Sequence, residues 1–389
     1  LNTQMVKELV VRAGQELVKS GLAARTWGNV SCRLDENFFA ITPSGRSYEI
    51  MGPEDIVICR IEDCTYEGNI KPSSEKKIHA LLYKTCPDVN FVIHTHQPAA
   101  SVLSAADIND MPSKGFNLLG DKVPVAAYGL PGTNKLTNGV AKALTNCRGQ
   151  AVIMSNHGAI CFGKDYEETF SAAQQLEEAC LAFVHSRYMT LSSASAYNEI
   201  NFYKYYVSLI PGKKSAIADE PIILGSSRRS GKGFIMEGDP ETAFRLDDRT
   251  ISGAALIHQA IYINRKDVNF IRQTSDSGLF AISLTNRPLI PLLDDFAQIV
   301  GLSARSARSS KTADVVKALK RHPAVLIPGS GALCCAATAD DANAVKAIME
   351  KNALAQIGTQ MFGGGRAISR LDSLIMHLVY TMSYSKKAN

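Results

Sequence analysis

Apolar residues recur along the first half of this chain in blocks that switch between helical and strand periods. Over residues 5–20, Val6, Leu9, Val10, Ala13 and Leu17 return at helical spacing, and Gly21 suits a left-handed stop, which predicts an opening helix with one buried face. Val30, Cys32 and Leu34 alternate, a turn follows at 35–37, and 38–41 is apolar again, so paired strands are expected. A helical run at 78–83 precedes Phe91, Val92 and Ile93, which read as a buried strand. Residues 98–104 predict a helix, 123–128 a short strand, 137–144 an amphipathic helix and 151–154 a further apolar strand. Phe170, Ala173, Leu176, Ala179, Ala182 and Phe183 then keep helical spacing through 166–188, a long helix expected to cover a sheet.

The second half repeats the first. Ile78-His79 through Tyr83 aligns with Ile257-His258 through Tyr262, and Asp88-Val89-Asn90-Phe91 with Asp267-Val268-Asn269-Phe270, both at an offset of 179 residues. Further on, 140–144 matches 315–319 and 151–159 matches 324–332, with the offset shrinking by a few residues as short loop deletions would make it. This is the signature of a tandem duplication. The pattern places one domain at 1–207 and a second at 234–389. The Pro, Gly, Ser and basic residues of the intervening stretch predict a linker over 208–233, with no counterpart of Trp27-Gly28-Asn29. Gly363-Gly364-Gly365 is expected as a flexible loop before a last helix at 371–382.

Composition narrows the class. The chain has 389 residues, 46% hydrophobic and 20% charged, in the range of globular proteins with room for two cores. No run approaches the length needed to cross a bilayer, and the N-terminus carries no charged-then-apolar leader, so a cytoplasmic protein without membrane partners is expected. Nine cysteines without paired spacing fit reduced thiols. A net charge of +5, spread along the chain, suits a small anionic substrate and lacks the clustering that nucleic acid requires.

The candidate chemistry lies where the strands end. His94 and His96 close the apolar run, and in a strand residues two apart leave from one face, so both imidazoles would enter one space. On spacing alone the pair also fits a strand end exposing two polar residues. The flanks decide between these readings. Ser73-Ser74-Glu75 precedes the helical run at 78–83, Ser155-Asn156-His157-Gly158 follows the strand at 151–154, and Gly28-Asn29-Val30-Ser31 and Thr42-Pro43-Ser44-Gly45 lie upstream. Together, and in this order, these motifs resemble the class II aldolase/adducin family, the fold of the zinc-dependent fuculose-phosphate and rhamnulose-phosphate aldolases, over most of residues 5–185.

The resemblance implies a mixed α/β fold, with a mainly antiparallel central sheet covered by helices, here as two tandem domains. It implies His94, His96 and His157 as zinc ligands, although imidazole also accepts manganese, iron or cobalt. Glu75 becomes the catalytic acid/base, with a pKa expected to be raised by partial burial. Gly28, Asn29, Ser44, Gly45, Ser73 and Ser74 become a phosphate cradle, small residues whose N–H and hydroxyl groups can close on an anion. Asn156 stands where some relatives carry a histidine, and His79 is read as structural. In the second copy Gln273, Ser275, Ser330 and Ala254 stand at the positions of His94, His96, His157 and Glu75, so the repeat keeps its core and loses the chemistry.

The implied activity is a metal-dependent aldolase that breaks a ketose phosphate into dihydroxyacetone phosphate and an aldehyde. A sugar-phosphate epimerase or dehydratase with the same metal triad is an alternative, as is an adducin-like binding module without catalysis. Epimerase relatives tend to carry Asp at the Glu75 position, which favours the aldolase. The family's tyrosine proton donor has no clear match: Phe116 stands where it would be sought, and Tyr128, Tyr205 and Tyr206 are candidates. The resemblance also implies a homo-oligomer, two duplicated chains forming a pseudo-fourfold dimer or a larger assembly.

Overall fold

A computed structural model describes residues 2–23, 27–211 and 220–383, which fall into two compact units. The first holds residues 1–187 and recovers 361–366 from near the C-terminus; the second holds the rest. Among the described residues no helix is long and apolar enough to cross a membrane.

In the first unit, helix α1 (Thr3–Lys19) starts where the Asn2 side chain accepts the Gln4 N–H, and it buries Val6, Val10, Ala13 and Leu17, four of the five stripe positions. Strands β1 (Asn29–Arg33), β2 (Phe38–Ile41) and β3 (Val57–Arg60) form a meander. Helix α2 (Lys76–Thr85) leads to β4 (Phe91–Thr95) and then α3 (Pro98–Ala105). After β5 (Asp110–Pro112), β6 (Lys122–Ala126) and α4 (Asn134–Leu144), the hairpin β7 (Ala151–Met154) and β8 (Gly158–Gly163) runs into α5 (Tyr166–Ser192). The sheet order is β3-β2-β1-β4-β8-β7-β6-β5, antiparallel throughout except between β6 and β7.

Alternation along β4 positions the chemistry. Val92 joins Ile78 and Leu82 of α2 and Val140 of α4 in one buried cluster. His94, two residues on, therefore faces the side of the sheet from which α2 begins.

The second unit opens with α6 (Glu199–Ser208), followed by β9 (Ser226–Ser230), β10 (Gly233–Glu237), β11 (Thr242–Arg245), α7 (Gly253–Asn264), β12 (Phe270–Thr274), α8 (Ser277–Thr285) and α9 (Asp294–Ile299). It is completed by β13 (Arg305–Ser306), α10 (Thr312–Leu319), β14 (Ala324–Ile327), β15 (Gly331–Ala336), α11 (Ala339–Gly358) and α12 (Arg370–Ser383). Its strand order, β11-β10-β9-β12-β15-β14-β13, repeats that of the first sheet, with the place of β5 reduced to a single antiparallel bridge between Leu289 and Ala304. The registers agree as well: Gln273 lies opposite Leu333 as His94 lies opposite Ile160.

Two expectations change. The stretch read as a linker contains β9, and the loss of the Trp27-Gly28-Asn29 motif hid a strand whose pairing is kept: Ser227 sits opposite Ile271 as Ser31 sits opposite Val92. The boundary at 207 also moves, because Phe202, Tyr203, Tyr206 and Val207 form the buried face of α6, which packs on α8 within the second unit. The glycines at 363–365, expected as a flexible loop, belong to the segment the first unit recovers. Gly365 bridges to Ala106, and the Arg366 N–H donates to Ala105 O at 3.0 Å.

Candidate metal centre

Three imidazoles from two strand ends converge. The candidate ligand nitrogens of His94, His96 and His157 all lie within 4.8 Å of one another, and all three residues are buried. The rings of His94 and His157 stack with centroids 4.6 Å apart, while His96 stands edge-on to both at 4.5 and 5.1 Å.

Local sequence explains the convergence. The β7–β8 hairpin turns through Asn156 at φ 59°, a left-handed conformation that asparagine tolerates, and this delivers His157 beside β4. At Gly158 a Cβ would lie 2.3 Å from Thr95 O and 3.3 Å from Cε1 of His94, so only glycine lets the hairpin close on the ring. Gly28 plays the same part on the other side: at φ 96° it brings β1 against β4, where a Cβ would meet His94 O at 2.5 Å. Tyr48 donates its hydroxyl hydrogen to Gly28 O at 2.9 Å and holds that turn.

The donor set fits a divalent metal. Nδ1 of His94 lies 2.8 Å from Ala159 O, and a carbonyl only accepts, so Nδ1 carries the proton and Nε2 is the atom that could ligate a metal. The carboxylate of Glu75 lies against the same nitrogens, with Oε1 2.7 Å from Nε2 of His157 and Oε2 3.4 Å from Nε2 of His94. Three imidazoles with a carboxylate beside them form an open set that could hold a divalent ion and leave coordination positions free.

The expected direction of the Glu75 pKa is reversed. Burial does push the carboxyl up, but the charges of His94 and His157 and the hydrogen bonds from His157 and Asn29 outweigh it, holding the group well below the usual carboxylate range. Glu75 is therefore ionised at neutral pH.

The six small or polar residues read as a phosphate cradle are partly assembled. The Ser44 N–H donates to Lys71 O at 2.9 Å, the Ser73 N–H donates to Thr42 O at 3.0 Å, and Pro43 bridges to Pro72, so the two loops lie side by side. Those N–H groups are spent on holding the loops together. Gly45, at φ 71°, and Ser74, next to the start of α2, are exposed. Asn29 is placed differently, since its amide bonds Glu75 at 2.9 Å through Nδ2 and His79 through Oδ1. The side chain of Asn156 turns away from the imidazoles and donates to Arg366 O at 2.7 Å.

Of the tyrosines considered as proton donors, Tyr205 and Tyr206 lie on α6 in the second unit, where Tyr205 meets Tyr188 edge-on and Tyr206 is buried. Tyr128 follows β6 in the first unit, under the ammonium of Lys135. Two supports were not read from the sequence. The carboxylate of Glu177 on α5 accepts the N–H groups of Ala99 and Ala100 at 2.7 and 3.0 Å, and Gln97 donates to Ala173 O, so α5 pins the chain just after His96. A Glu in the middle of a helix gives no sign of such a reach.

The sequence model of the class II aldolase and adducin N-terminal domain matches residues 8–184 and 232–357. A 5-deoxy-D-ribulose 1-phosphate aldolase of Bacillus thuringiensis serovar kurstaki is 32% identical over 177 residues, 45% of this chain and 82% of its own. A probable L-ribulose-5-phosphate 4-epimerase of Mycoplasma pneumoniae is 41% identical over 104 residues, 26% of this chain and 43% of its own. A 3-oxo-tetronate 4-phosphate decarboxylase of Haemophilus influenzae is 30% identical over 185 residues, 46% of this chain and 86% of its own. With one family matched twice, in the order and register that the two sheets share, the chain belongs to the class II aldolase and adducin N-terminal domain family.

Proposed function

We propose that this protein is a metal-dependent aldolase of ketose phosphates, with its working site in the first unit. The observation that carries this reading is the ionised Glu75 carboxylate set directly against Nε2 of His94 and His157. A divalent ion, zinc or another that imidazole accepts, would be held by His94, His96 and His157 and would supply Lewis-acid stabilisation of the negative charge that builds up on the carbonyl oxygen.

Glu75 handles the proton. In the condensation direction its carboxylate takes the proton from the hydroxylated carbon beside the carbonyl of dihydroxyacetone phosphate, the electron pair left there attacks the aldehyde carbon, the aldehyde oxygen takes a proton from water, and Glu75 returns its own to the solvent. In cleavage the hydroxyl on the aldehyde side gives its proton to water, the carbon–carbon bond breaks with the pair staying on the three-carbon fragment, and Glu75, protonated in turn from water, delivers a proton to that carbon. Asn29 orients the carboxylate, while the Ser44 and Ser73 hydroxyls, with Gly45 in the loop after β2 and Ser74 next to the start of α2, anchor the phosphate. Glu rather than Asp at position 75 favours carbon–carbon cleavage over epimerisation.

Incubating the metal-loaded chain with a panel of ketose phosphates tests the reading. Release of dihydroxyacetone phosphate supports it, and inversion, dehydration or decarboxylation without cleavage rejects it. Metal analysis separates every enzymatic reading from a binding module: about one ion per chain is expected from the single His triad. Association of two chains is also proposed from family membership, and sedimentation as a monomer at micromolar concentration would reject it.

A further inference from the structure

Behind Glu75 runs a chain of buried side chains that the aldolase reading leaves unused. Tyr83 and His79 on α2 both reach Ser31 on β1, with the Ser31 Oγ 2.6 Å from the Tyr83 hydroxyl and 2.6 Å from Nδ1 of His79. Nε2 of His79 meets Oδ1 of Asn29, and Nδ2 of Asn29 meets Glu75. All five residues are buried.

The Asn29 amide fixes the direction of every bond. Its Nδ2 donates to Oε2 of Glu75 at 2.9 Å, and its Oδ1, which can only accept, faces Nε2 of His79. His79 must then carry its proton on Nε2 and accept at Nδ1 from the Ser31 hydroxyl, which in turn accepts from Tyr83. The chain therefore donates in one sense, Tyr83 to Ser31 to His79 to Asn29 to Glu75, and each bond polarises the next. Burial pushes the His79 imidazole down to about 3 despite the nearby Glu75 charge, so the ring stays neutral and holds this tautomer.

The second copy serves as an internal control. It keeps the inner trio, with Ser227 Oγ 2.7 Å from Nδ1 of His258 and 2.8 Å from the Tyr262 hydroxyl. The outer part is gone: Gly225 precedes β9 where Asn29 opens β1, and Ala254 stands in place of Glu75. The trio by itself ties a helix to a strand, and the extension to Asn29 and Glu75 belongs to the copy with the imidazole triad.

We infer that His79 is a positioning residue, which locks the flip of the Asn29 amide and through it the orientation of the Glu75 carboxylate. This rests on the aldolase reading for its kinetic consequence and on the chain's own hydrogen bonding for the rest. A glutamine at 79 can place an amide N–H near the Nε2 position and keep the donor to Asn29, whereas an asparagine, one methylene shorter, reaches only as far as Nδ1.

The test compares His79→Leu, His79→Asn and His79→Gln with His258→Leu in the full chain, loaded with zinc and assayed on the ketose phosphate that the wild type cleaves. His79→Leu and His79→Asn are expected to lower kcat by about 10- to 100-fold, the range for removing a supporting residue behind a metal site. KM and zinc content should change little, and His79→Gln should recover most of the loss. His258→Leu should lower the melting temperature and leave kcat unchanged. An unaltered kcat in His79→Leu, or equal recovery by Asn and Gln, overturns the inference. A second readout needs no turnover: nitrogen-15 spectra of histidine-labelled, metal-free protein should show His79 protonated at Nε2 alone. The opposite tautomer overturns the inference even if the chain proves to be an active aldolase. If the wild type cleaves no ketose phosphate, the proposed function falls and this spectrum decides the inference.

Discussion

Oε1 of Glu75 lies 2.7 Å from Nε2 of His157, a carboxylate and an imidazole joined from residues 82 positions apart in sequence. That contact lowers the pKa of the Glu75 carboxyl, because the histidines beside it and the Asn29 amide favour the anion more than burial disfavours it. The working state at neutral pH is therefore a base ready to accept a proton. Replacing Glu75 with Gln keeps the shape and removes the base, so kcat should fall by about 10²- to 10⁴-fold. Metal content should be retained, because the ligating nitrogens are untouched. Elemental analysis beside a dihydroxyacetone phosphate assay checks both halves.

Removing a ligand should act differently. In His94→Ala or His157→Ala the triad drops to two imidazoles, and the purified chain should carry well under one ion, with activity lost in proportion. Adding zinc at millimolar concentration should recover part of it. A His157→Ala chain that still holds stoichiometric metal would show that the three rings are not the ligand set.

Gly158 and Gly28 flank the His94 ring and backbone so closely that a single methyl tests the geometry. In Gly158→Ala the new carbon would lie 2.3 Å from Thr95 O, a backbone atom that cannot swing away. The expected cost is about 1–3 kcal/mol of stability, as for other overpacked sites, with weaker zinc binding from the displaced ring. Urea unfolding and zinc titration measure the two effects. Gly28→Ala adds backbone strain at φ 96° to a 2.5 Å approach to His94 O, and should be the worse of the two.

Acid should destabilise the chain through two histidines outside the triad. Burial pushes His79 down to about 3 and His258 down to about 4, against roughly 6.5 for an exposed imidazole. Between those values the unfolded chain binds protons that the folded one refuses. Their contribution is fully present above pH about 6.5 and is lost progressively as pH falls towards about 4 for His258 and about 3 for His79. Melting temperature should therefore fall on acidification below pH about 6.5. In His258→Gln, which cannot charge, the slope should be shallower, and an unchanged slope would contradict the neutral assignment.

In the second unit Gln273 fills the place of His94 with hydrogen bonds. Its Oε1 accepts from the Leu224 and Gly225 N–H groups at 2.6 Å, and its Nε2 donates to Ile222 O at 2.9 Å and Ser330 O at 3.1 Å. Gln273→Ala should lower stability by about 1–2 kcal/mol, since several part-buried backbone groups lose their partner at once. Metal content and turnover should not change. Gln273→His alone should bind no second ion, because Ser275, Ser330 and Ala254 offer no further imidazole or carboxylate.

Much of this was legible in the residues. Apolar periodicity located the strands that end in His94, His96 and His157, and strand alternation put two of the rings on one face. The offset of 179 residues exposed the duplication, and the sheet orders bear it out strand for strand except for β5. β9 escaped because its polar sequence, Ser226 to Ser230, carries no apolar alternation; it is a strand only because β10 and β12 pair with it. The return of residues 361–366 to the first unit escaped for a similar reason, as backbone bonds to Ala105 and Ala106 hold it there.

The amino-acid order by itself determined the family, the duplicated plan and the identity of the imidazoles and the carboxylate, because those depend on residue type and local period. Only the tertiary structure decided that Glu75 meets His157, that Asn29 holds it and that His79 stands behind Asn29. Charge state and hydrogen-bond direction are set by which groups meet in a space closed to water, and residues 29, 75, 79 and 157 meet there only once the sheet has formed.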